Sequence, residues 1–339
     1  MSARHGSIQL YSTCPQSKDV GPADYLRTVA EHARWSEAAG CAGMLVYTDN
    51  GLVDPWLVAQ TVLTGTERLM PLVAVQPVYM HPYTAAKMVA SLGFLHGRRV
   101  ALNMLAGGFI NDLLALGDAT PHDARYERTV EYTRIIRALL EGSGAVTFEG
   151  KHYRTDKLSM AVRLPAGLQP EILISGSSEA GMQAAQAIGA TAIRYPKPAE
   201  EEVGAADFPD MPLGIRVGIV ARPSVEEAWR VAHERFPATR QGAVMHRVAM
   251  SVSDSVWHRE LSSLNDQPDG GESPYWLGPF HHYKTFCPYL VGSYQAVGRE
   301  LARYLSKGYR TVILDIAPDE AEYEHIGAAF DAAALVEAA

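Results

Sequence analysis

Short apolar runs alternate with longer amphipathic stretches along most of this chain, and no other feature limits its possible folds as strongly. The runs SIQLYST (7–13), GMLVYT (43–48), LMPLVAVQP (69–77), RRVALNML (98–105), EILIS (171–175), TAIRY (191–195), LGIRVGIVA (213–221) and TVILDI (311–316) read as strands. Helix-period stretches follow over 23–39, from Asp54, and over 83–95, 124–140, 178–188, 225–235 and 294–307, with a last one from Asp319. Asp54 has the chemistry of an N-cap with Pro55 at the first helical position, and Gly40 can close the first helix in the left-handed conformation. Eight strands, each followed by helix or loop, are the signature of repeated βα units. A length of 339 residues suits a (β/α)8 TIM-type barrel of about 250 residues enlarged by insertions. No linker composition divides the chain, so a single barrel domain over 1–339 is expected, with insertions near 107–122, 144–170 and 237–292. The stretch 144–160 reads as a small hairpin or extended excursion, and 237–292 is the least regular part. No G-x-G-x-x-G follows the first strand, which weighs against an open dinucleotide-binding sheet.

Composition removes several classes. The net charge of −8 and the lack of a Lys/Arg cluster argue against nucleic acid as a partner. No apolar run approaches the roughly 18 residues of a membrane span. The N-terminal stretch lacks the apolar core of a secretory signal. Cys14, Cys41 and Cys287 are odd in number and far apart, the pattern of reduced thiols in a cytoplasmic protein, so neither a structural disulfide nor a metal site is expected.

In a (β/α)8 barrel, function sits at the C-terminal ends of the strands. Those ends supply Thr13-Cys14, Thr48-Asp49, Gln76, Asn103, Ser175 to Ser178, Arg194-Tyr195, Arg216 and Asp315. The set is polar and mostly uncharged, without metal-ligand spacing or an adjacent carboxylate pair, which leaves metal-assisted or glycosidase chemistry little support. Ser175-Gly176-Ser177-Ser178 runs from a strand into a helix. Free N–H groups, two hydroxyls and the positive end of the helix dipole converge there, an arrangement suited to phosphate. The plainer alternative is an ordinary serine N-cap. His122 and Tyr126 lie four apart at the start of another helix and project from one face, suited to hydrogen-bond a phosphate or ribityl chain. The plainer alternative there is a simple helix start, with Asp123 as cap and Arg125 as a solvated charge.

ALNMLAGG (101–108), HDARYERTVEYTRIIRALLEG (122–142), VTFEGKHYRT (146–155) and ISGSSEAGMQAA (174–185), with DPWLVAQ (54–60), GIRVGIVARPSVEEAW (214–229) and the segment 290–314, together resemble the bacterial luciferase-like flavin-dependent monooxygenases. The nearest branch is the alkanesulfonate monooxygenases, and the likeness covers roughly 8–235 and 288–330. The resemblance implies a (β/α)8 barrel and an oxidoreductase that uses reduced FMN (FMNH2) and O2, with the flavin delivered by a separate NAD(P)H:flavin reductase. It implies Ser177 and Ser178 on the FMN phosphate, His122 and Tyr126 beside it, and Asn103 at the ring or ribityl chain. Thr48 and Gln76 would line the ring, and Gly107, Gly108 and Gly176 would let backbone pass close to the cofactor.

The sulfonate half of that branch's pattern is not matched. Two residues after Arg216, where the branch has histidine, stands Gly218; Ala317 takes the place of a tyrosine, and Cys14 that of a histidine. The substrate is therefore expected to be a small organic molecule other than a simple alkanesulfonate. Arg216 is the firmest catalytic candidate, because a charge on an inward-pointing barrel strand is costly unless used. The segment 265–290, rich in aromatics yet broken by Gly and Pro, is expected to supply His281, His282 and Lys284 as proton donors or anchors, either as a lid or as an interface. A homodimer or homotetramer is the expected assembly. An F420-dependent oxidoreductase and a non-catalytic flavin-binding barrel are the competing readings.

Overall fold

A computed structural model describes residues 8–264 and 273–337. The eight expected strands form at β1 (Gln9–Thr13), β2 (Gly43–Val46), β3 (Met70–Val75), β4 (Ala101–Met104), β5 (Ile172–Ser175), β6 (Thr191–Arg194), β7 (Leu213–Arg222) and β8 (Tyr309–Leu314). They follow one another in sheet order from β1 to β6, and β7 and β8 complete the order back to β1. This is a (β/α)8 barrel with insertions. The strand interiors read Val/Ile/Leu/Ala because helices cover a parallel sheet and leave neither face wet; all ten residues of β7 are buried.

The described residues group into two compact units. One, built from 14–34 and 43–192, holds β2 to β5 in parallel register, with Leu45 opposite Leu72, Val75 opposite Met104 and Met104 opposite Ile174. Its helices begin where local chemistry says they should. Asp54 accepts from the Trp56 N–H with Pro55 at the first position, and His81 Nδ1 accepts from the Tyr83 N–H to open Pro82–His96. Gly97 (φ 62°) and Gly142 (φ 66°) close their helices in the left-handed region that glycine enters without penalty.

The excursion after residue 144 is an antiparallel hairpin, Val146–Glu149 with Arg154–Leu158. Three backbone N–H groups of its tip are held to helix His122–Glu141 by one carboxylate. Glu131 Oε1 accepts from the Lys151 N–H at 2.8 Å, and Oε2 accepts from His152 (2.8 Å) and Tyr153 (3.0 Å). A Cβ on Gly150 would collide with that carboxylate. Glu127, at the end of the run His122–Glu127, adds a side-chain contact by accepting from Lys151 Nζ at 2.6 Å.

The other unit, from the first strand, 35–42 and the chain from residue 193 onward, pairs β1 with β8 (Gln9 with Thr311) and β8 with β7 (Ile313 with Arg216). An additional parallel strand, Tyr289–Ser293, runs beside the far half of β7, with Tyr289 opposite Gly218. The region read as irregular contains two further helices, Arg240–Ser251 and Val256–Ser263. Thr239 caps the first by accepting from the Gly242 N–H.

Candidate functional site

The strand-to-helix turn after β5 lies in the first unit described. Ser178 is the N-cap of helix Glu179–Ile188, its Oγ accepting from the Gly181 N–H at 3.1 Å. Ser177, one residue earlier, has a buried Oγ without a hydrogen-bond partner. A buried hydroxyl left unpaired costs about 1–3 kcal/mol, and it is an unusual thing to find at the positive end of a helix. Gly176 lies against the Tyr126 hydroxyl, which occupies the place where a Cβ at 176 would begin. His122 stands edge-on to the Tyr126 ring, with centroids 5.2 Å apart, and its Nδ1 is 2.7 Å from Asp123 Oδ1. Gly176, Ser177, Ser178, His122 and Tyr126 are therefore elements of one cradle, assembled from a helix start and from the side of a second helix.

The loop after β4 leads toward the same helix. Asn103, buried, accepts from the Ser175 hydroxyl at 2.9 Å and so ties the end of β4 to the end of β5. Gly107 has φ 91°, and a Cβ there would press on Gln76 Nε2 at 3.2 Å. Thr48 and Gln76 share a cavity of about 260 Å³ whose wall also includes Trp56, Ala74, Tyr79 and Met80.

Arg125 departs from the plain reading of its helix start. It is 2% exposed, not solvated, and its guanidinium donates to three backbone carbonyls: Ala106 (3.1 Å), Thr120 (3.0 Å) and Gly107 (3.2 Å). Both ends of the loop 106–120 are held by this one side chain. Asp118 reinforces the hold. It accepts from Arg128 at 2.7 Å and from the Thr120 hydroxyl at 2.5 Å. Burial raises the Asp118 carboxyl, but those hydrogen bonds outweigh it and bring the group down to about 2. Nor does Asp123 cap the helix: its first helical residue is His122 and its N-cap position is Pro121.

In the second unit, Arg216 on β7 is 4% exposed. Its Nη2 lies 3.6 Å from Asp315 Oδ1, and its guanidinium carbon is 6.0 Å from the Tyr195 ring centre. Asp315, the first residue beyond β8, has its other oxygen occupied by the Thr285 hydroxyl (2.5 Å) and the Tyr289 hydroxyl (2.9 Å). Burial, and then the Asp315 charge, push the Tyr289 phenol well above its ordinary range, so it remains a donor. The ring of Tyr289 fills the volume beside Gly218, where any Cβ would land inside it. Tyr195 in turn stacks flat on Trp257, 3.7 Å away.

The expected segment 265–290 is only partly visible: 265–272 lies outside the described residues. His281 is the last residue of the short helix Gly278–His281 and His282 is its C-cap, and both meet helix Arg240–Ser251. His281 stands 5.7 Å from the His246 ring. His282 Nδ1 is 2.9 Å from the Gly278 carbonyl, and the His282 carbonyl abuts Gly242. Lys284 is exposed. Asp315, Thr285 and Tyr289 are the residues that accompany Arg216. Tyr289 and Asp315 are 26 positions apart and no local period joins them, so only the placement of Asp315 at a strand end hinted at this cluster. Cys14, Cys41 and Cys287 are all buried, and burial raises the first two thiols to about 12. No metal-binding group of His, Cys, Asp and Glu occurs among the described residues, and no described helix is long and apolar enough to cross a membrane.

A (β/α)8 barrel with an unpaired buried serine hydroxyl at a strand-to-helix turn has the design of a cofactor-using barrel enzyme. The chain belongs to the luciferase-like monooxygenase family, whose family model matches residues 8–311, and it is an oxidoreductase. It is 33% identical over 329 residues to a 4-(gamma-L-glutamylamino)butanoyl-[BtrI acyl-carrier protein] monooxygenase, BtrO, of Niallia circulans, covering 94% of this chain and 95% of that one. Among solved structures it is similar in fold to a riboflavin lyase bound to modified FMN and riboflavin (TM-score 0.72, 16% identity, 94% of this chain and 90% of that one). It is likewise similar to a long-chain alkane monooxygenase (TM-score 0.70, 16% identity, 96% and 89%). An F420-dependent secondary alcohol dehydrogenase shares the fold too (TM-score 0.64, 16% identity, 95% and 99%).

Proposed function

We propose that this protein is an FMNH2- and O2-dependent monooxygenase of the two-component type, receiving reduced flavin from a separate NAD(P)H:flavin reductase. The observation that carries the reading is the buried, unpartnered Ser177 hydroxyl at the opening of helix Glu179–Ile188. A phosphate would satisfy that donor and draw on the helix dipole at the same time. Ser177, Ser178, His122 and Tyr126 hold the phosphate in this reading, and Gly176 keeps the approach open. Asn103 orients the ribityl chain or ring, while Thr48, Gln76 and Gly107 form the wall for the ring. When bound, reduced FMN supplies the electrons for activating O2; the protein's part is to orient it, exclude water and position the substrate.

Arg216 faces the substrate, and His281, His282 and Lys284 belong to the segment that closes over it. The substrate is an organic molecule other than a simple alkanesulfonate. An acyl group borne by an acyl-carrier protein is the class we favour, because the relative from Niallia circulans is named for one. The protein works in the cytoplasm as a homodimer or homotetramer.

Anaerobic titration with FMNH2, oxidised FMN and reduced F420 tests the cofactor. Preferential binding of FMNH2, followed by substrate-dependent O2 consumption, is the expected result. Preference for reduced F420 overturns the reading, and tight binding of oxidised FMN with no turnover makes the barrel a flavin store.

A further inference from the structure

We propose that the Arg216 cluster is a charge-compensated recognition site that selects an uncharged polar group of the substrate and rejects an anionic one. The proposal rests on the monooxygenase reading for the existence of a substrate site, and deepens it by naming the electrostatic character of what that site accepts.

The site stands at the C-terminal end of the barrel strands, where barrel enzymes bind their substrates. Asp315 is the first residue past β8, Thr285 lies in the chain leading into the added strand, and Tyr289 is that strand's first residue. An arginine at such a place, alone, would draw carboxylates, sulfonates or phosphates, since its planar fork matches them. Here it is not alone. Arg216 and Asp315 are 5% and 9% exposed in their side chains, with 3.6 Å between Nη2 and Oδ1. Their charges sum to zero in a place with little water to screen a third. An anion brought against Arg216 would leave the group with net charge −1 in a poorly screened interior, which is costly.

The carboxylate is also fixed so that it cannot swing away to make room. Its second oxygen accepts from both Thr285 and Tyr289. Tyr289 is itself wedged, because its ring occupies the whole volume left by the absent side chain of Gly218. Glycine at 218 is thus what admits Tyr289, and Tyr289 is part of what holds Asp315 beside Arg216. The guanidinium carbon also lies 6.0 Å from the Tyr195 ring, which is itself stacked on Trp257 at 3.7 Å. A neutral carbonyl, amide or sulfonamide can accept from the guanidinium without disturbing this balance. An anion can do so only by displacing Asp315.

The isosteric pair octanesulfonate and octanesulfonamide, differing in charge at one end, tests this on the intact protein by calorimetric titration. The wild-type protein should bind the sulfonamide at least tenfold more tightly than the sulfonate. Asp315→Asn should strengthen the sulfonate at least tenfold and so erase or invert the wild-type preference, and the double variant Arg216→Gln/Asp315→Asn should abolish that gain. A wild-type preference below tenfold, or binding of neither compound, overturns the proposal, and the wild-type comparison decides even if Asp315→Asn does not fold. A merely structural ion pair would not change the ratio between the two ligands. FMNH2 affinity measured on the same samples reads the flavin assignment separately, so failure of one is not failure of the other.

Discussion

The Tyr126 hydroxyl lies in the space where a side chain at residue 176 would begin, so the two positions share one small volume. Gly176→Ala must push Tyr126 away from the mouth of helix Glu179–Ile188. Overpacking of this kind costs about 1–3 kcal/mol. We expect that loss in denaturant unfolding together with at least a tenfold weaker FMNH2 titration. An alanine variant with wild-type affinity would show that Tyr126 is not placed by Gly176 for binding.

The two adjacent serines should separate cleanly. Ser177→Ala removes a buried hydroxyl that has no partner, so the flavin-free protein should be as stable as wild type or more so, while FMNH2 affinity falls by about 1–3 kcal/mol. Ser178→Ala removes the cap on Gly181 and should lower stability by about 1 kcal/mol. Melting curves with and without FMNH2 distinguish the two patterns. Equal behaviour of the two variants would contradict the division of labour.

Arg125→Leu keeps most of the bulk and strips three carbonyls of their donors. With hydrogen bonds to a charged group at stake, a loss on the order of 3 kcal/mol is expected, and hydrogen exchange over 106–120 should accelerate. Protection that stays at the wild-type level there would mean that the loop is held by something else.

Asp118 makes a specific contribution at acid pH. Its folded value of about 2 lies below the ordinary 3.8. The stabilisation is therefore complete above about pH 4 and disappears as pH falls through about 2. By linkage it amounts to roughly 2 kcal/mol. Asp118→Asn should be less stable than wild type at neutral pH by about that amount, and the difference between the two should close between pH 4 and pH 2. A constant gap across that range would rule the carboxylate out as its source.

Much of the barrel was legible because its signals are local. Asp54 beside Pro55, Ser178 before Glu179 and the helix Val225–Arg235 announce themselves within a few residues. Thr239 and Ser255 stand at N-cap positions too, yet the helices they open were missed. There the apolar residues Val244, Met245 and Val248 face outward, so hydrophobic spacing does not mark one buried side. The role of Arg125 is hidden in the sequence for a related reason. A charge on a helix is usually solvated, and nothing beside it in the sequence reports the carbonyls of a loop 18 residues away. The pairing of Gly218 with Tyr289 is less accessible still, since it joins two strands 71 residues apart.

The grip of Glu131 on three successive amides of the hairpin tip bears on how such barrels can be recombined. A crossover between residues 131 and 150 would combine one parent's carboxylate with another's turn. Any parent lacking glycine at 150, or acid at 131, would then yield a chimera with three unpaired N–H groups or a blocked turn. Helix His122–Glu141 and the hairpin that follows it are thus one inheritable module, to be exchanged whole.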